Sequence, residues 1–136
     1  MKNSLHHKDQ IISPNQFDIL FRSYTSLVDL RAPVEVARGG IAAAINVPLR
    51  NNEERHQVGI IYKERGKRAA IALGEKIVSG AAREHRLDSW IHSISKRPDT
   101  VLFCYRGGLR SSTAQSWLKD KGVLVPRIDG GYKALR

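Results

Sequence analysis

A chain of 136 residues has the length of one domain, and 41% hydrophobic residues give it enough apolar side chains for a core of its own. Its single cysteine excludes an internal disulfide and a cysteine-based zinc site, and fits a reducing compartment such as the cytoplasm. Lys and Arg number 23 against 13 Asp and Glu, a formal net charge of +10, which suits a polyanionic partner such as nucleic acid and, equally, a basic surface with no such partner.

Residues 1–13 are mostly polar and are expected to form a flexible segment ahead of one domain over 14–136. They contain no apolar core of a signal peptide, and no apolar run in the chain approaches membrane-spanning length, so no membrane association is expected. Ser13-Pro14 followed by Phe17, Leu20 and Phe21 predicts a short helix with one apolar face. Ser26–Asp29 predicts a short buried strand ending in a carboxylate, and Pro33–Val36 a helical turn with proline where its missing N–H matters least. Ala43–Pro48 predicts a second strand stopped by proline.

Asn51 to Lys63 predicts a helix capped by Asn51 or Asn52, with Glu53 and Glu54 in its first turn. Beyond Gly66, the spacing of Ala70, Leu73, Ile77 and Ala81 predicts another helix, weakened at its end by Gly80. Leu87, Trp90, Ile91 and Ile94 mark the inner face of a third, closed by Pro98. Thr100–Phe103 predicts a strand; Ala114, Trp117 and Leu118 mark a helix ended by Gly122; Val123–Val125 predicts a last strand edged by Pro126, before a turn at Asp129–Tyr132. Short strands alternating with helices predict an α/β fold on a parallel sheet flanked by helices.

Between the strand ending at Phe103 and the helix opened by Ser111 lies Cys104-Tyr105-Arg106-Gly107-Gly108-Leu109-Arg110. Five residues between a cysteine and an arginine can curl so that successive N–H groups converge above the sulfur, with the guanidinium of Arg110 facing the same point. Gly107 and Gly108 permit close backbone approach, and Arg106 adds a second cation. Such a pocket suits a thiolate attacking an anion, or an anionic sulfur carried on Cys104 itself, and a cysteine placed there is expected to ionise more readily than a free one. The bland alternative is an inert cysteine ending a strand. Arg31 and Glu35, four apart, are expected to pair in support of the loop, with Asp29 at the strand end beside them. His56 is a candidate substrate contact or acid–base group, and His6, His7, His85 and His92 make no metal-ligand pattern with each other or with Cys104, so no metal is expected. Trp90 and Trp117 are expected to pack in the core; Arg83, Arg86, Lys96 and Arg97 are candidates for phosphate contact.

The cysteine–arginine spacing is shared by cysteine-dependent phosphatases and by rhodaneses, and the order of the chain resembles the latter. Leu27–Arg31 with Glu35, then Gly40-Ile41 and Ala43–Pro48, resemble the N-terminal signature of rhodanese domains; Cys104–Ser111 resembles their active-site loop and Asp129–Tyr132 their closing turn. Ala42 and Ala43 stand where many relatives have proline and glycine. Within that superfamily, Asn52–Gly59, Ile61–Lys63, Ala69–Gly74 and Val78–Gly80 resemble the rhodanese domain of the tRNA 2-selenouridine synthases. The resemblance implies a rhodanese-like three-layer fold with Cys104 catalytic, residues 105–110 as the anion cradle, and Asp29, Arg31 and Glu35 tying loops near the site. It implies no bound cofactor. It further implies exchange of sulfur for selenium in wobble 2-thiouridine of tRNA, with selenophosphate or a thiosulfate-type compound as donor and a geranylated intermediate. A P-loop domain follows the rhodanese domain in that family; this chain has no G-x-x-x-x-G-K-[ST] and is expected to be the isolated N-terminal half. A phosphatase-like enzyme, for which Phe103 is the wrong residue before the cysteine, and a non-catalytic tRNA-binding module are the alternatives.

Overall fold

The computed structural model describes residues 11–22 and 26–136. Five short strands form one all-parallel sheet in the order β1-β5-β4-β2-β3: β1 (Ile11–Ile12), β2 (Leu27–Asp29), β3 (Ala44–Asn46), β4 (Val101–Phe103) and β5 (Arg127–Ile128). The helices are α1 (Phe17–Arg22), α2 (Pro33–Ala37), α3 (Asn52–Arg65), α4 (Lys67–Ile77), α5 (Gly80–Lys96), α6 (Leu109–Asp120) and α7 (Gly131–Leu135).

Successive strand residues face opposite sides of a sheet, and the two cores divide accordingly. Val28 and Leu102 pack with Leu87 and Trp90 of α5 and Ala114 and Leu118 of α6. Leu27, Val101, Phe103 and Ile128 pack on the other side with Leu20 of α1, and with the partly buried Tyr132 and Leu135 of α7. Both faces of the sheet are covered, which is the three-layer α/β arrangement the sequence predicts. Trp90 is fully buried and its indole N–H donates to Val47 O at 2.9 Å; Trp117 packs half-buried 6.2 Å from it.

Three expectations change. The ordered fold begins earlier than residue 14, because Ile11 and Ile12 pair with Arg127 and Ile128, and Ile12 is fully buried. Residues 1–10, including His6 and His7, lie outside the described residues, as does the side chain of Phe21. The helix expected to run to Ala81 stops at Ile77; Gly80 opens α5, and Ala81 is exposed. The last strand is Arg127–Ile128 and not Val123–Val125. Pro126 brings no N–H to the ladder but offers its carbonyl, which accepts from Leu102 N at 2.9 Å, so regular pairing starts one residue later. No helix among the described residues is long and apolar enough to cross a membrane.

The topology gathers the polar residues at one edge. Asp29 lies opposite Phe103 and Asn46 in register, so the C-terminal ends of β2, β3 and β4 come level. In open parallel sheets this is the edge where sites form.

Candidate active site

Cys104 follows the last residue of β4, and α6 begins at Leu109, so the loop between strand and helix spans five residues, 104–108. The cysteine is buried, and its Sγ lies 3.4 Å from Ser111 Oγ. Ser111, fully buried in the first turn of α6, donates in turn to Gly108 O at 3.3 Å. Among the described residues, no backbone–backbone hydrogen bond outside the regular elements uses the N–H of Tyr105, Arg106, Gly107 or Gly108. Together with the first N–H groups of α6, which a helix cannot satisfy internally, they leave donors free around the cysteine.

The loop is clasped from behind by the turn that ends the chain. Tyr132 N donates to Cys104 O at 2.8 Å and Lys133 N to Tyr105 O at 2.9 Å. Arg127 Nη1 donates to Gly107 O at 2.8 Å. Two glycines make this contact sterically feasible. A Cβ on Gly131 (φ +58°) would stand 2.3 Å from Cys104 O, and one on Gly107 (φ +73°) 2.7 Å from both Gly130 N and Ile128 O. Two backbones thus meet without an intervening side chain.

The charged support differs from the expected pairing of Arg31 with Glu35. Arg31 turns back on Asp29, with Nε 3.0 and 3.1 Å from its two oxygens and Nη2 2.8 Å from one, and donates to Gly39 O at 2.9 Å. Both residues are almost fully buried, and the Arg31 guanidinium lies 4.0 Å from the centre of the Tyr132 ring. Glu35 faces the loop instead. Its carboxylate takes both Arg110 nitrogens, at 2.5 and 3.0 Å, and also Arg55 Nε at 3.1 Å and Ala32 N at 3.0 Å. Burial by itself raises the Glu35 pKa, but the hydrogen bond and charge of Arg110, the Ala32 N–H and the charge of Arg55 outweigh it, and the net shift is downward. Burial lowers the Arg110 pKa, while Glu35 and, more weakly, Cys104 and Asp29 override it upward. Arg110 therefore closes the loop through Glu35, and its guanidinium is already engaged there.

Arg55 reaches Glu35 because Asn51 and Glu54 exchange reciprocal 2.8 Å hydrogen bonds that start α3, and Asn52 Oδ1 accepts from Val34 N at 2.8 Å, joining α3 to α2. His56 is exposed on α3, and among the described residues no ion pair brings it to the loop. Arg86 pairs with Glu54 at 2.6 Å and Arg83 lies 4.4 Å from the centre of the Trp117 ring, while Lys96 and Arg97 are exposed. Sequence reasoning passed over Arg50, Arg55 and Arg127; the capped start of α3 was the one available signal, since it places Arg55 one turn into a helix beside α2. Among the described residues no three His, Cys, Asp or Glu gather as a metal site.

Beside the loop opens a cleft of about 270 Å³ lined by Arg31, Arg38, Arg55, Arg136, Tyr105 and Tyr132, with Glu35 at its side. The two tyrosine rings are 6.4 Å apart, and Arg106 lies 5.5 Å from the centre of the Tyr105 ring. Arginines interleaved with aromatic rings suit phosphates and flat bases.

A family model described as the rhodanese-like domain matches residues 13–136. Curated relatives include the tRNA 2-selenouridine synthase of Chromohalobacter salexigens, 53% identical over 110 residues, which are 81% of this chain and 30% of that protein. The tRNA 2-selenouridine synthase of Shewanella frigidimarina is 43% identical over 127 residues, 93% of this chain and 35% of that protein. The chain thus spans about a third of the length of the curated relatives it matches. Among solved structures, the N-terminal domain of a Clostridium difficile 630 protein superposes with a TM-score of 0.69 at 32% identity, covering 94% of this chain and 88% of that one. A rhodanese-related protein from Thermoplasma volcanium, at 18% identity and a TM-score of 0.50 over 92% of this chain and 88% of its own, shares the fold.

Proposed function

This chain belongs to the rhodanese-like domain family, and from that premise we propose that Cys104 is the chalcogen carrier of a sulfur- and selenium-transfer domain, the rhodanese portion of a tRNA 2-selenouridine synthase. The observation that supports this reading most is the geometry at Cys104: a cysteine at a strand end, 3.4 Å from a buried hydroxyl, inside a loop of uncommitted N–H groups. With thiosulfate, the Cys104 thiolate attacks the outer sulfur; a new S–S bond forms to Cys104, the old S–S bond breaks, and its electron pair leaves on sulfite. The persulfide so formed carries its negative charge on the terminal sulfur, where the loop N–H groups and the first turn of α6 stabilise it. Selenophosphate is the donor proposed for the whole enzyme. Its selenium is already at the selenide level, so attack on that atom would have to expel phosphorus in a lower oxidation state. Thiosulfate is therefore the clean probe of the carrier step.

The RNA substrate in this reading approaches through the cleft of Arg38, Arg55, Arg136 and the two tyrosines. A net charge of +10 favours such an approach over long range. The remaining two-thirds of the enzyme, with its P-loop domain, would supply the other steps, in the cytoplasm where a free thiol persists.

Incubating the 136-residue chain with thiosulfate is expected to add the mass of one sulfur atom to the wild type and nothing to Cys104→Ser, read by intact-mass spectrometry. An unmodified wild type at every thiosulfate concentration would overturn the carrier role. For the RNA face, Arg38 is exposed and no ion pair holds it among the described residues. Arg38→Ala should weaken tRNA binding and reduce the slope of log K against log salt by about 1. An unchanged slope removes the cleft from the path of the RNA.

A further inference from the structure

Arg50 directly follows Leu49 and directly precedes the Asn51 cap of α3. Its Nε is buried and has no hydrogen-bond partner, and no carboxylate forms an ion pair with it among the described residues. The other deeply placed arginines of the site, Arg31 and Arg110, each lie against a carboxylate. The chain makes room for Arg50: a Cβ on Gly74 of α4 would stand 2.6 Å from Nη2 and 3.4 Å from Cζ of its guanidinium. The side chain borders a cavity of about 40 Å³ that also touches Leu109 and Thr113, both in the first two turns of α6, and Glu75 of α4, which forms no ion pair with Arg50. It is therefore placed where α6 leaves the Cys104 loop. Burial holds its pKa below the ordinary arginine value, Arg110 pushes the same way, and Glu54, Glu35 and Cys104 pull upward.

A half-buried guanidinium whose shielded Nε–H has neither acceptor nor counterion is unfavourable unless an acceptor, best an anionic one, completes it. The cavity is large enough for a water molecule, but water does not neutralise the charge. We propose that Arg50 is the oxyanion-recognition residue of the site, binding the sulfonate or phosphate-type oxygens of the small donor while its chalcogen meets Cys104. Arg110 is spent on Glu35 and Arg106 is exposed, so Arg50, half-buried and without an ion pair, is the cation left for the ligand among the described residues near the loop. This inference rests on the carrier reading above and adds the residue that selects the donor.

The test uses a readout that does not require sulfur transfer. Cys104 is alkylated with iodoacetate, which carries a carboxylate, and with neutral iodoacetamide, in the wild type, Arg50→Met and Arg50→Lys. Methionine keeps the length and apolar fit without the charge. Arg50→Met is expected to lower the iodoacetate-to-iodoacetamide rate ratio roughly tenfold. It should also raise the half-saturating thiosulfate concentration for loading by a similar factor. Its melting temperature should equal or exceed that of the wild type, because a half-buried charge without an ion pair has been removed. Arg50→Lys should recover part of both effects. A rate ratio and thiosulfate dependence unchanged in folded Arg50→Met would overturn the proposal. So would a variant that keeps both and loses tRNA affinity, since the anion would then be an RNA phosphate. If the wild type takes no sulfur from thiosulfate, the carrier reading falls, and the alkylation ratio still decides the role of Arg50.

Discussion

Gly131→Ala is expected to destabilise the protein by roughly 3–5 kcal/mol, a large part of what a domain of this size has. Two penalties coincide at this position. Its φ of +58° is left-handed, which a side chain tolerates at about 1 kcal/mol or more. The added Cβ would meet Cys104 O at 2.3 Å, Gly107 N at 2.7 Å and Tyr105 C at 2.7 Å. All three are backbone atoms, which cannot swing aside as the end of a side chain can, so overpacking adds about 1–3 kcal/mol. Relief requires the closing turn to lift away, which breaks the bonds from Tyr132 N to Cys104 O and from Lys133 N to Tyr105 O. Gly122→Ala is the control: its φ of +80° imposes the same backbone strain, but nothing lies within 4 Å of the new Cβ. It should cost only about 1 kcal/mol. Urea denaturation of both variants separates strain from clash, and equal midpoints would mean that the turn does not seat against the loop. Thiosulfate loading should fail in Gly131→Ala even where the variant remains folded, because Cys104 O is one anchor of the loop.

Local chemistry in the sequence was enough to locate the loop. An apolar run, a cysteine, two glycines and a helical pattern specify a strand, a tight loop and a helix, and these lie at Val101–Phe103, 104–108 and Leu109–Asp120. The Asn51 cap was equally legible, because a capping box involves residues three apart. Pairings between distant segments were not. Spacing of four suggests contact only where both residues share a helix, and Arg31 precedes the first residue of α2, Pro33. Arg31 therefore folds back on Asp29, and Glu35 meets Arg110, which is 75 residues away. The two-residue strand Ile11–Ile12 is too short to show alternation, and only its parallel partner Arg127–Ile128 defines it. The helix through Ala81 failed for a different reason. Its apolar spacing stays in phase across Ser79, so a break between α4 and α5 leaves no mark in the periodicity.

The same long-range pairing sets the second large effect. Glu35→Gln keeps size and shape but leaves Arg110 and Arg55 without their shared charge, with an expected loss of about 2–4 kcal/mol. The upper part of the range for a broken buried pair does not apply, because the Arg55 side chain is 40% exposed and solvent screens its share. Arg110, at 19% exposure, carries most of the effect. The pH dependence has a definite sign. The folded Glu35 pKa lies below its unfolded value, so the folded state holds the carboxylate ionised more firmly than the unfolded chain does. Its contribution is fully present above the unfolded value, about 4.3, and is lost as pH falls through the lower folded value. Wild type and Glu35→Gln should therefore differ most near neutrality and converge in acid, a trend that urea midpoints between pH 7 and pH 3 will show. A gap that stays constant with pH would mean that the charge of Glu35 is not what holds the loop. Arg110→Met introduced into Glu35→Gln should cost less than Arg110→Met alone, because the guanidinium removed has already lost its partner. Additive costs would place the two residues in separate interactions. The loop would then owe its shape to the glycine-to-glycine seat at Gly107 and Gly131, and Arg110 would be free, like Arg50, to meet the anion.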